Sequence, residues 1–123
     1  MGPPIRDYRD LTVWQRAMEL AKGTYLLCRQ ISGADGFVLV DQMRRAATSV
    51  PSNIAEGYGR AHRADYLRYL RIASGSLKEL ETQLTLARDL GLAPVESAGV
   101  LLSRTAEVGR MLTGLRKALQ AKR

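Results

Sequence analysis

Few side chains in this chain can do chemistry, and their types favour binding over bond-making. His62 is the only histidine. It stands between Arg60 and Arg63 at the expected start of a helix, where it reads as a surface residue. Ser49, Ser52, Ser74 and Ser76 have no histidine at a spacing that makes a nucleophile–base pair. A metal centre needs several histidines, cysteines or clustered carboxylates, and the carboxylates here sit next to arginine or lysine. The run Gly57-Tyr58-Gly59-Arg60 lacks the lysine and the spacing of a phosphate loop. Cys28 is the single cysteine, so no intrachain disulfide can form. Its place on an apolar helix face suits a small buried hydrophobe, and a reducing cytoplasm is its simplest setting. The expectation is a protein with no catalytic role, no metal and no cofactor.

Cation chemistry is what remains. The formal net charge is +7 in 123 residues, and 15 of the 19 basic side chains are arginine. Arginine grips phosphate bidentately and stacks on bases, so the bias points to RNA or DNA. The charge is concentrated. Residues 44–71 hold Arg44, Arg45, Arg60, Arg63, Arg68 and Arg71 against only Glu56 and Asp65. Arg116 and Lys117 belong to a second basic stretch that closes the chain. Arg68, Arg71 and Lys78 share one side of an expected third helix. These nine residues are the candidate nucleic-acid contacts. The competing reading is a solvated surface on a protein-interaction scaffold with no direct nucleic-acid role.

The elements that position these groups follow from periodicity. Four segments carry apolar residues at alternating steps of three and four, which places them on one face of a helix. They are Leu11, Trp14, Met18, Ala21, Tyr25 and Cys28; Leu39, Met43, Ala46 and Val50, followed by Asn53 and Gly57; Tyr66, Leu70, Ala73, Leu77, Leu80, Leu84 and Ala87; and Ala98, Leu101, Thr105, Val108, Leu112, Leu115 and Leu119. The pattern predicts a single all-α domain over residues 1–123. Its form is an antiparallel, up-down-up-down four-helix bundle with helices at about 11–31, 38–59, 63–90 and 94–121. Residues 1–9 read as a flexible lead. Thr12 and Gln15 read as a capping box, Gly91 as a helix stop and Pro94 as a first-turn residue. No apolar run approaches the length of roughly 18 residues that spans a membrane.

Pro51 interrupts the second helical pattern. An interior proline costs roughly 3 kcal/mol because it removes a donor and crowds the preceding turn. Asn53 and the nearby serines are expected to satisfy the Ala47 carbonyl that Pro51 leaves free. Glu56 stands four residues before Arg60 and should pair with it, with a neighbouring subunit as the other partner open to it. Trp14 is expected in the core beside Met18. Ile54, Tyr58, Leu67, Tyr69, Ile72 and Leu86 form a second partial stripe off the seam, which suggests a subunit interface.

Four runs carry a resemblance: Asp10–Gln15, Gln42–Ala47, Ser49-Val-Pro-Ser-Asn-Ile-Ala-Glu-Gly57 and Ile72–Glu81. Together they closely resemble the 23S rRNA-intervening-sequence protein family of four-helix-bundle proteins, over about Arg9 to Leu92. Pro51, Asn53, Glu56 and Gly57 lie in the most specific of them. That family includes the accessory variability determinant of diversity-generating retroelements. Resemblance to that member implies a homopentameric barrel whose basic surface binds nucleic acid and a reverse transcriptase. The chain departs from the family pattern in its first loop, Ile31–Phe37, and at His62, where a serine cap is usual.

Overall fold

A computed structural model describes residues 4–122. The first three residues of the expected lead, and Arg123 of the basic tail, lie outside them. Four helices follow one 3-10 turn: α1 Thr12–Cys28, α2 Ala34–Tyr58, α3 Arg63–Asp89 and α4 Val95–Ala121. Among the described residues there is no strand.

Each helix packs on two others. α2 touches α1 and α3, and α4 touches α3 and α1, whereas the diagonal pairs do not meet. The section is therefore a square of helices in chain order. Neighbours run in opposite directions. Between α2 and α3, Ser49 meets Ser76 and Tyr58 meets Tyr66. Between α3 and α4, Leu77 meets Gly109 and Glu81 meets Thr105. Between α1 and α4, Arg16 pairs with Glu107 and Gly23 abuts Leu101. As one number rises along a helix, its partner's number falls. Short connections require this, because five residues reach only about 18 Å while α2 is about 37 Å long.

The core follows the expected seams on α2, α3 and α4. Met43, Val50, Leu70, Leu80, Leu84 and Leu112 are fully enclosed. Helix α1 differs. Its buried face is Val13, Ala17, Leu20, Ala21, Thr24, Leu27 and Cys28. Trp14 and Met18 are only partly buried, and Tyr25 is exposed. The periodicity supports two stripes on α1, and the one with smaller residues lets the helix approach the bundle closely. The bulky stripe is left on the flank. Ile54, off the expected seam of α2, is fully buried.

Several ends also differ from expectation. Gly33 has φ +90°, a conformation open to glycine, and α2 starts directly after it instead of near residue 38. In the described part of the lead, a capping box joins Asp7 and Asp10 around the 3-10 turn, and the Tyr8 and Trp14 rings meet edge to face with centroids 5.2 Å apart. Gln15 donates to the Arg9 carbonyl at 2.8 Å, and Thr12 makes no cap. At the end of α3, Gly91 has φ +72°, and the amides of Gly91 and Leu92 return to the Arg88 and Ala87 carbonyls. That is a Schellman stop, with the expected glycine at its left-handed position.

Candidate nucleic-acid interface

The nine candidate basic residues do not form one band. They are split between three sides of the square. Arg44 and Arg45 stand on α2. The Arg44 guanidinium lies 5.6 Å over the Tyr25 ring of α1, and its Nε is buried without a hydrogen-bond partner. Arg45 pairs with Asp41 one turn back. Arg60 and Arg68 both converge on Tyr69, at 4.8 and 4.6 Å from the ring centroid. Arg60 also donates to the Tyr69 hydroxyl at 2.7 Å, and pairs with Glu56 at 3.3 Å, as its spacing predicts.

The third group lies between α3 and α4. Lys78, Arg110 and Arg116 line a groove of about 470 Å³ with Ser74, Thr105, Gly109 and Thr113. One acid faces these three cations. Glu81 is held there by Lys78 at 3.5 Å, with the Thr105 hydroxyl, which gives its proton to the Leu102 carbonyl at 2.7 Å, lying 3.4 Å away. Arg110 and Arg116 make no ion pair among the described residues. The Arg116 Nε is buried and has no acceptor. Arg71 is exposed seven residues before Lys78, on the same line of α3. Arg63 donates to the Lys122 carbonyl, which ties the end of α4, with Lys117, to the start of α3. Arg63, Arg71, Lys78, Arg116 and Lys117 thus share one side. Arg110 is the residue that sequence reasoning missed. Six residues separate it from Arg116, about 120° around α4, so no local spacing pairs the two, and only the placement of α3 beside α4 shows that both border the groove.

Ser74 and Thr113 add hydroxyls to the groove wall, although Ser74 spends its proton on the Leu70 carbonyl at 3.0 Å. The arrangement can hold anionic oxygens by charge-assisted hydrogen bonds.

The expected repair at Pro51 takes a different form. Asn53 donates to the Ser49 carbonyl at 2.8 Å and to the Ser49 hydroxyl at 2.9 Å, and Ser49 meets Ser76 of α3 at 2.7 Å. A helical side chain points back over one turn, so Asn53 covers Ser49 rather than the more distant Ala47. The polar residues around Pro51 therefore stitch α2 to α3. Pro51 itself, with Ser52 and Ala55, faces α1. There it shares an apolar groove of about 710 Å³ with Tyr8, Trp14, Met18, Tyr25 and Leu26.

Comparison with known proteins places this fold. Residues 9–114 match the 23S rRNA-intervening sequence protein family. The chain belongs to that family. It is also similar to a protein of unknown function from the S23 ribosomal protein family of Bacteroides thetaiotaomicron, whose crystal structure was determined at 1.70 Å. The two share 25% identity with a TM-score of 0.81, over 86% of this chain and 99% of that one. No curated protein matches the chain. The family match extends past the Leu92 limit of the sequence resemblance and takes in α4 as far as Gly114, and with it Arg110 of the basic groove. No helix among the described residues is long and apolar enough to cross a membrane.

Proposed function

We propose that this protein is a non-catalytic, oligomeric nucleic-acid-binding module that holds phosphate backbones along the α3–α4 groove. One observation carries the reading: Lys78, Arg110 and Arg116 converge on a groove whose one acid is already engaged by Lys78. Two arginines are left without a protein carboxylate, as an anion-binding surface requires. Arg63, Arg71 and Lys117 extend the positive surface along the same side. Backbone contacts of this kind position a strand without reading its sequence. Cations and hydroxyls stand in the groove beside Leu77, Ala106 and Gly109, a lining that suits holding a ligand rather than transforming it.

The deciding measurement is fluorescence anisotropy of a labelled single-stranded RNA titrated with the protein over a range of salt concentrations. Phosphate contacts make log K fall linearly with log salt, by roughly 0.7 for each contact on a single strand. A clear negative slope supports the reading. No binding at low salt defeats it and leaves a protein-interaction scaffold.

A further inference from the structure

Glu81 is the one acid in a groove suited to holding phosphate. It stands on the α3 wall beside Lys78, with Arg110 and Arg116 on the α4 side. Lys78 engages one of its oxygens, Oε1. The other, Oε2, lies 3.4 Å from the Thr105 hydroxyl of α4, but that hydroxyl commits its proton to the Leu102 carbonyl at 2.7 Å. A hydroxyl has a single proton to give, so among the described residues no donor is left for Oε2. The Glu81 side chain is 38% exposed, which leaves this oxygen within reach of a ligand in the groove.

Helix register places Glu81 along the line of cations. Leu77 meets Gly109 and Glu81 meets Thr105. Counting away from these contacts at the helical rise puts the Arg110 backbone about 8 Å, and the Arg116 backbone about 17 Å, from the level of Glu81. Lys78 comes first, about 5 Å away on the same helix. The acceptor therefore stands at one end of the cations, where it does not cancel the two arginines.

An RNA strand complements an acceptor beside cations. Each ribose carries a 2′-hydroxyl next to its own 3′-phosphate, which pairs a donor with an anion in one nucleotide. Deoxyribose offers the anion alone, and the 2′-hydroxyl is what lets a protein tell the two strands apart at a given site. We infer that Glu81 Oε2 accepts the 2′-hydroxyl of a ribose whose phosphate lies on Lys78 and Arg110, and that the groove thereby prefers RNA to DNA. The inference rests on the phosphate-holding reading of this groove and names its substrate class and the residue that sets it. With RNA, the proton given to the carboxylate makes a charge-assisted bond that offsets its repulsion of the phosphate. With DNA the repulsion stands alone. One side chain thus favours the right strand and penalises the wrong one.

The test uses three labelled strands of equal length: oligouridine, its 2′-O-methyl form and oligodeoxyuridine. Each is titrated by fluorescence anisotropy at one low salt concentration. The wild-type protein should bind oligouridine about ten-fold more tightly than either of the others, which both lack the donor. Glu81→Met removes the acceptor and its charge. Binding of the deoxy strand should then tighten, and the preference for RNA should fall below about two-fold. The ratio of affinities is the readout, because loss of one negative charge acts on both backbones alike. Glu81→Gln keeps an acceptor oxygen and should retain about a three-fold preference. Equal binding of the three strands by the wild type, or a preference that survives Glu81→Met, would overturn the inference and leave the phosphate groove standing. So would a 2′-O-methyl strand bound as tightly as oligouridine, since strand shape and not a donated proton would then be read. That comparison needs no variant. Failure of every strand to bind removes the groove as a nucleic-acid site, and the inference with it.

Discussion

Gly57 of α2 lies directly against Tyr69 of α3. A Cβ added at Gly57 would stand 2.8 Å from the Tyr69 Cβ, with the Tyr66 ring at 3.1 Å and the Tyr66 carbonyl at 3.2 Å. The first and last of these are main-chain or near-main-chain atoms that cannot swing away. The lack of a side chain at Gly57 therefore lets the two helices close on each other next to the edge-on Tyr58–Tyr66 pair.

Gly57→Ala should accordingly destabilise the fold, although alanine is the better helix former. Overpacking of this kind costs about 1–3 kcal/mol, against roughly 0.5–1 kcal/mol of helix preference returned. Urea unfolding should show a lower midpoint with an unchanged slope. A midpoint equal to or above wild type would mean that the helices separate here without cost.

The start of α3 offers the opposite case. His62 occupies the N-cap with extended backbone and makes no side-chain cap bond. His62→Ser supplies a hydroxyl acceptor for the orphan amides of the first turn, with Asp65 three residues on to complete a capping box. The variant should gain about 1 kcal/mol, read as a rise in the thermal midpoint. No rise would show that water already serves those amides equally well.

The seams of α2, α3 and α4 were legible because their large residues coincide with the buried line. Leu70, Leu77, Leu80 and Leu84 outweigh the broken second stripe of Leu67, Ile72 and Leu86 on α3. On α1 the rule failed for a physical reason. Val13, Ala17, Leu20, Thr24 and Leu27 and the expected series Leu11, Trp14, Met18, Ala21, Tyr25 and Cys28 both step by three and four; Ala21 and Cys28 are buried, but the bulky members of that series are not. Burial selects for fit against neighbours, and a small residue at the centre of a square can fit better than a tryptophan. The basic groove was half legible. Lys78 and Arg116 were named from charge alone. Their meeting depends on the α3–α4 register, which no local pattern reports. The same holds for Asn53, whose partner Ser49 follows from helix geometry but whose link through Ser49 to Ser76 does not.

Cys28 makes a pH-dependent prediction. Burial pushes its thiol above the ordinary range, and Arg44 offsets this only in part. The thiolate is the disfavoured form in the fold. At alkaline pH the unfolded chain therefore ionises first, and the native state holds the extra proton. Stability from this group is complete below the ordinary thiol range, about pH 8.5, and declines as pH rises through it. Cys28→Ala should flatten that decline in unfolding curves taken from pH 7 to 10. Iodoacetamide at pH 7.5 should label the native protein slowly and the urea-unfolded chain fast. Equal labelling rates would place the thiol at the surface.

The basic groove can be separated from general positive charge by counting contacts. Arg110→Gln and Arg116→Gln remove two cations without reversing charge, and neither side chain is ion-paired among the described residues. Losing two phosphate contacts on a single strand should reduce the slope of log K against log salt by about 1.4 in magnitude, and weaken binding at physiological salt. Arg6→Gln with Arg9→Gln makes the matched control. It removes the same formal charge from the lead, where Arg9 pairs with Asp7 at 2.8 Å. If net charge alone attracted nucleic acid, both double variants would lose affinity equally. If the α3–α4 groove holds the strand, the groove variant loses slope and affinity while the lead variant keeps both. An unchanged slope in the groove variant would remove Arg110 and Arg116 from the interface and shift attention to Arg44, Arg45 and the Tyr69 arginines on the other sides of the square.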